Sequence, residues 1–237
     1  MSLIHPRIPF LTTKSLVLTG GDYVSLGNVL DYTSGTARSW TGYVYLSSLK
    51  VQAFVSKRDG TGNGFLFYTA ANGAVYLYIQ GSTGTLQVRT PLSAVSAGSW
   101  FHLAVTKSTS DADTGVNIYI NGSNQTLTTL SSPMTGTATT TADMRYGSHK
   151  NNSFDFDGRM HRGAFWSKQL SSTEVTEDQG IKTVGGLFTH TAASNLIAYH
   201  RFGNDPLDGT SAIYDRAGSY TGTPSGIVAG DFVTDAP

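Results

Sequence analysis

The sequence predicts an all-β protein, a sandwich or barrel of short antiparallel strands with one short helix. Gly, Ser and Thr recur every eight to twelve residues, with short alternating apolar runs between them. Fourteen of the sixteen acidic residues are Asp and only Glu174 and Glu177 are Glu; Asp suits turns where Glu suits helices. A single segment, "LSSTEVTEDQG", carries a full helix-start signature.

The strands follow in order. "SLVL" (15–18) and "DYVSLG" (22–27) flank Gly20-Gly21, which reads as a tight hairpin connection. "WTGYVYLS" (40–47) alternates Tyr43 and Tyr45 against Val44 and Leu46. "AFVSKR" (53–58) and "GFLFYTA" (64–70) flank a glycine-rich loop, and "AVYLYIQ" (74–80) precedes a Gly-Ser-Thr-Gly turn and "TLQVRT" (85–90). "SWFHLAVTK" (99–107) sets Phe101, Leu103 and Val105 on one face, and "GVNIYIN" (115–121) does so with Val116, Ile118 and Ile120. Asn121-Gly122 then predicts a type I′ hairpin, with φ > 0 at both positions. Further strands are expected in "MRYGS" (144–148), "FDFDGRMHRGAFWS" (154–167) and "LIAYHRFG" (196–203). In the helix, Ser171 is the N-cap, Glu174 completes a capping box, Leu170 and Val175 form the staple, and Gly180 is the C′ candidate. No fixed-period repeat is visible.

Composition excludes several function classes. The chain has 237 residues, zero net charge, no Lys/Arg cluster and no cysteine. A nucleic-acid footprint is therefore absent, as are disulfides, thiolate metal sites and a Cys nucleophile. The segment "MSLIHPRIPFLTTKSLVL" lacks a charged region followed by an apolar run, so neither a signal peptide nor a membrane span is expected.

Several linked segments carry a family resemblance. "KSLVLTGGDYVSLGN" resembles an opening strand pair, "GSWFHLAVTK" with "VNIYING" a core strand and hairpin, and "FDFDGRMHRGAFWSKQLSSTEV" a closing strand ending in Trp and a capped helix. In that order, over about residues 14–180, they resemble the laminin-G-like, concanavalin-A-like domains of lectins and glucanases. The resemblance implies an antiparallel two-sheet jelly-roll sandwich with one short capped helix. It departs at Gly158-Arg159-Met160-His161-Arg162, where the family often has Gly-x-Ile-Asp-Glu. The segment "NLIAYHRFGNDPLDGTSAIYDRAGSYTGTP" resembles one that accompanies such jelly rolls in phage and environmental sequences. Residues 1–13 then form an N-terminal arm, 14–182 the jelly roll, and 183–237 a C-terminal extension, either packed on the jelly roll or serving as a docking arm.

Catalytic and metal constellations are sparse. Glycoside hydrolysis needs two carboxylates about 5–9.5 Å apart, and only Asp155 and Asp157, roughly 7 Å apart on one strand face, offer such a pair; exposed edge polarity before Gly158 explains them better. Asp22, Asp111, Asp113, Asp155 and Asp157 are the donors a calcium ion would draw on, although "DADTG" reads as turn chemistry. The six histidines are scattered. No nucleophile elbow or phosphate loop occurs, so no metal or cofactor is expected. Sugar binding fits better, because it uses aromatic platforms with amides and carboxylates beside them. The expected ligand residues are Tyr43, Tyr76, Tyr78, His102 and Tyr119, with Tyr45 beside them, projecting opposite the apolar faces of their strands. The alternative is that they form a second buried face or its rim.

The expected function is a non-catalytic virion surface protein of a phage, a capsid decoration, head fibre or tail component with a lectin-like fold. Its partners would be other virion proteins and surface glycans, with neither nucleic acid nor membrane, and a homo-oligomer is compatible. Such a protein is made in the host cytoplasm and released by lysis, which fits a chain without disulfides. Asn121-Gly122-Ser123, Asn124-Gln125-Thr126 and Asn151-Asn152-Ser153 then match the glycosylation pattern by chance. The rival readings are a free-standing carbohydrate-binding module and a glycoside hydrolase.

Overall fold

A computed structural model describes residues 13–58, 60, 62–149, 154–181 and 186–237. The expected N-terminal arm before residue 13, the Asn151-Asn152-Ser153 pattern and the boundary at 182–183 lie outside the described residues.

Two antiparallel sheets face each other across an apolar core. The first contains β1 (Ser15–Leu18), β3 (Arg38–Leu46), β8 (Trp100–Lys107), β9 (Val116–Ile120), β10 (Ser123–Asn124), β13 (Gly158–Trp166), β14 (Leu196–His200) and β16 (Phe232–Val233). The second contains β2 (Tyr23–Ser25), β4 (Gln52–Arg58), β5 (Gly64–Thr69), β6 (Val75–Gln80), β7 (Thr85–Arg89), β11 (Thr128–Ser131), β12 (Arg145–Tyr146) and β15 (Thr223–Ser225). In space the first runs β10-β9-β8-β3-β13-β1-β16, with β14 also on β13, and the second runs β11-β7-β6-β5-β4-β12-β2-β15. This is the two-sheet jelly-roll sandwich that the strand pattern and the resemblance anticipate.

The period of two decides which side chains meet. Trp40, Val44, Phe101, Leu103, Val105, Ile118 and Phe165 face inward from the first sheet. Phe54, Phe65, Phe67, Val75, Leu77, Ile79, Leu86 and Val88 meet them from the second. Burying each such side chain contributes about 1.5–3 kcal/mol, so the register is strongly fixed.

Gly20-Gly21 does not close a hairpin. β1 pairs with β13 and β16, whereas β2 pairs with β12 and β15. The turn, with both glycines at positive φ, carries the chain from one sheet to the other, so that Leu16, Leu18 and Val24 enter the same core from opposite sides. Asn121-Gly122 behaves as read: φ is 50° and 77°, and Ser123 faces Ile120 across a two-residue loop.

The helix α1 (Ser172–Gly180) starts with the expected capping box between Ser171 and Glu174. Leu170 and Val175 are buried together beneath it. Its end differs from the expectation. Gly180 is the last helical residue rather than a left-handed C′, and the Ile181 amide closes the turn on the Asp178 carbonyl.

The C-terminal segment is woven into the sandwich. β14 lies on β13, β15 on β2 and β16 on β1, and Phe202, Ile213 and Ile227 join the main core. Among the described residues no helix is long and apolar enough to cross a membrane.

Candidate functional site

The five expected ligand residues divide between two faces. Tyr43, His102 and Tyr119 sit on the outer face of the first sheet, where β3, β8 and β9 run side by side. That face is covered by α1 and the segment after it. Tyr119 packs with Ala104, Trp166, Val175, Leu187 and Tyr199 in a second, smaller core. Tyr43 and Tyr119 are each 4% exposed and His102 is fully buried. These three act as the floor on which the helix rests, the buried second face that alternation also allows, and of them Tyr43 borders a cleft of about 500 Å3 shared with Trp100, Asn121 and Gln179.

Their chemistry explains how the helix is held. His102 Nε2 lies 2.6 Å from Asp178 Oδ2, and Arg162 Nη2 lies 3.1 Å from the same oxygen. Arg162 also donates to the carbonyls of Ile181, at 2.8 Å, and Asp178, satisfying acceptors that a helix C-terminus leaves open and complementing its negative dipole end. The Tyr43 hydroxyl donates to the Gln179 carbonyl, and its ring lies under the Arg162 guanidinium at 5.2 Å. Burial alone would raise the Asp178 carboxyl, but the Arg162 charge and the His102 bond hold it below its ordinary range. Burial lowers His102, with the Asp178 bond opposing only in part, so the imidazole is neutral. The Gly-Arg-Met-His-Arg stretch that departs from the family pattern thus supplies the anchor of α1.

Tyr76 and Tyr78 belong to the outer face of the second sheet, and there a site forms. Tyr68 on β5 pairs with Tyr76 on β6, which pairs with Arg89 on β7. One rank along, Gln87, Tyr78, Leu66, Ser56 and Arg145 run across five strands. The next rank holds Thr85, Gln80, Gly64 and Arg58. The rings of Tyr68 and Tyr76 stack at 4.7 Å with an interplanar angle of 15°, and Phe154 stands edge-on to Tyr68 at 5.7 Å. Gln87 donates to the Tyr68 hydroxyl at 3.2 Å. The Tyr78 and Thr85 hydroxyls both donate to Gln80 Oε1, at 2.7 and 2.8 Å. Burial raises Tyr68, with the Gln87 bond opposing, so its hydroxyl stays protonated. The rings are half-buried, and amides fix the hydroxyls of Tyr68 and Tyr78 in place. The patch offers flat apolar faces beside oriented polar groups, the chemistry that sugar rings take.

Sequence reading found Tyr76 and Tyr78 but not Tyr68, Gln80, Gln87, Arg58 or Arg89. Alternation in "GFLFYTA" places Leu66 and Tyr68 opposite Phe65 and Phe67 and could have found Tyr68. The others needed the strand register.

The carboxylates that catalysis or calcium would draw on all serve hydrogen bonds within the fold. Asp155 and Asp157 precede β13 rather than lying on it, and accept from Ser148 and Ser48, each at 3.0 Å. Asp22 accepts from the Thr19 amide. Asp111 accepts from Lys107 at 2.8 Å, and Asp113 from Thr129 and Ser132. Among the described residues no group of three or more His, Cys, Asp or Glu could hold a metal. A cleft of about 520 Å3 between Lys14, Gly203–Thr210 and Phe232 contains Asp208, but that carboxylate accepts the amides of Gly203 and Tyr214, each at 2.8 Å.

Comparison with known proteins agrees with this architecture. No curated protein matches the chain in sequence. Among solved structures, a candidate carbohydrate binding protein from Bacteroides ovatus superposes with a TM-score of 0.67 at 19% identity, covering 96% of this chain and 61% of that one; the chain thus spans about three fifths of that protein. The SAP-like pentraxin of Limulus polyphemus gives 0.52 at 12% identity, over 70% of this chain and 81% of that one. The CBM40 of Ruminococcus gnavus IT-sialidase, solved with α2,3-sialyllactose, gives 0.51 at 13% identity, over 72% of this chain and the whole of that one. At these identities the likeness is one of fold. A family model described as the concanavalin A-like lectin/glucanases superfamily matches residues 18–176. With two thirds of its length so matched, the chain belongs to the concanavalin A-like lectin/glucanases superfamily.

Proposed function

We propose that the protein is a non-catalytic carbohydrate-binding domain that takes glycan on the outer face of the second sheet. The single observation that carries this is the stacked Tyr68–Tyr76 pair with Tyr78 beside it, the hydroxyls of Tyr68 and Tyr78 fixed by Gln87 and Gln80. The carboxylate pair that hydrolysis would need is engaged in hydrogen bonds with Ser48 and Ser148, which favours binding over catalysis. The Bacteroides and Ruminococcus proteins support the reading by analogy of fold alone.

Affinity electrophoresis against a panel of neutral and acidic polysaccharides tests it. At least one glycan retards the wild-type chain, and Tyr76→Ala and Tyr78→Ala each weaken that retardation about tenfold or more while the fold persists. Retardation unchanged in both variants, or none with any glycan, contradicts the proposal.

The finer reading is that this domain works on the surface of a phage particle, beside capsid or tail proteins. Its support is the cysteine-free composition, which suits folding in a reducing cytoplasm before release by lysis. Mass spectrometry of purified particles checks it: the chain is expected among the stoichiometric virion proteins, and its absence from them rejects the reading.

A further inference from the structure

The tyrosine-bearing face carries charge of one sign. β4, β5, β6 and β7 contain no Asp or Glu, yet Arg58 and Arg89 both lie on their outer side. The Arg58 guanidinium lies over the Tyr78 ring, 4.7 Å from its centroid. It gets there by crossing Gly64, which separates Arg58 from Gln80 in the register. Gly64 has φ of +124°, and a side chain there would collide with the Lys57 carbonyl. One strand further, Arg145 lies 4.1 Å over the Tyr23 ring.

Several cations elsewhere are neutralised locally: Lys57 by Asp31, Lys107 by Asp111, Arg162 by Asp178, Lys168 by Glu174. Arg58 and Arg89 have no such carboxylate among the described residues. Their protein partners are single backbone carbonyls, Gly62 at 3.1 Å and Thr90 at 3.1 Å. Each guanidinium therefore retains donors that face solvent, in the planar arrangement that suits carboxylate or sulfate oxygens. The backbones of Arg58 and Arg89 stand three strand spacings apart, roughly 14 Å, and about four residues, roughly 13 Å, offset along the strands. Such a diagonal exceeds a single sugar, so both charges engage together only on an extended chain.

We propose that the glycan bound by this face is anionic, an extended polysaccharide whose carboxylate or sulfate groups pair with Arg58 and Arg89 while its rings lie on Tyr68, Tyr76 and Tyr78. This rests on the carbohydrate-binding reading of the same face. Binding of the intact chain is measured by isothermal titration with three polymers: polygalacturonate for carboxylate, heparin for sulfate, and neutral galactan. At least one acidic polymer is expected to bind about tenfold or more tightly than galactan, with affinity falling as salt rises. Arg58→Gln and Arg89→Gln each reduce that affinity about tenfold with the melting temperature unchanged; which acidic polymer binds tells carboxylate from sulfate. Galactan bound as tightly as either acidic polymer, and lost in Tyr76→Ala but not in the arginine variants, overturns the anionic preference and leaves the carbohydrate site standing. Acidic binding indifferent to both arginines also overturns it. No binding to either acidic polymer overturns the anionic preference, and only its combination with no retardation by any glycan of the electrophoresis panel overturns both.

Discussion

The imidazoles of His102 and His200 are buried in different cores and are both neutral, for reasons visible in their bonds. His200 Nε2 lies 2.8 Å from the Tyr220 carbonyl, which can only accept a hydrogen bond, and its Nδ1 lies 3.2 Å from the Tyr146 hydroxyl, which can donate one. That pattern suits one tautomer of the neutral ring. Burial lowers both histidines, only partly opposed by the Tyr220 carbonyl at His200 and by Asp178 at His102. The sign for stability follows. A histidine depressed in the folded state binds protons more readily once unfolded, so its contribution is complete above the unfolded value near 6.5 and is lost as pH falls through the folded value. We predict that the melting temperature falls between about pH 7 and pH 5, in the window set by the free imidazole, and that His200→Asn flattens part of that fall. A melting temperature constant across the window contradicts neutral burial.

At the scale of elements, α1 and the β9–β10 hairpin are built for each other. Gly122, in the turn, approaches Gln179 so closely that a Cβ would lie 2.6 Å from its side-chain oxygen, and Asn121 Oδ1 accepts the His102 amide at 2.9 Å. Arg162, from β13, then closes the far end of the helix. Replacing it with Met would leave Asp178 buried without its cation, so Arg162→Met is predicted to cost about 3–5 kcal/mol in urea denaturation. A loss below about 1 kcal/mol, the scale of an exposed pair, would mean that the pair does not anchor the helix. Much of this element was legible in advance. The capping box, staple and type I′ turn are local, and their residues announce them. What α1 covers was not legible, because alternation puts Tyr43, His102 and Tyr119 on an outer face without saying whether solvent or a helix lies beyond it. Gly20-Gly21 was misread for a related reason. Two short apolar strands around a glycine turn look alike whether they pair with each other or pass between sheets.

For the whole molecule, the decisive asymmetry among the described residues is that a helix overlays the outer face of the first sheet and not that of β4 to β7. The first sheet is overlaid by α1 and the segment carrying Leu187, Ala192 and Tyr199, and its ring-bearing strands become a second core. The outer face of β4 to β7 keeps its tyrosines half-buried, with Phe154 edge-on to Tyr68. The sandwich architecture and most strand positions were readable from period-two runs. The site was readable only in part, since Tyr76 and Tyr78 lie within one strand but their partners come from β4, β5 and β7 through non-local pairing.

The most direct test of the central claim is to locate the ligand. Isotope-labelled protein is titrated with a pectic digest holding both neutral and acidic oligosaccharides, and chemical-shift changes are followed by NMR. The account predicts changes concentrated on β4 to β7, strongest at Tyr68, Tyr76 and Tyr78, with the signals of Tyr43, His102 and Tyr119 unmoved. Changes centred on α1 and the residues beneath it, with β4 to β7 silent, would contradict it.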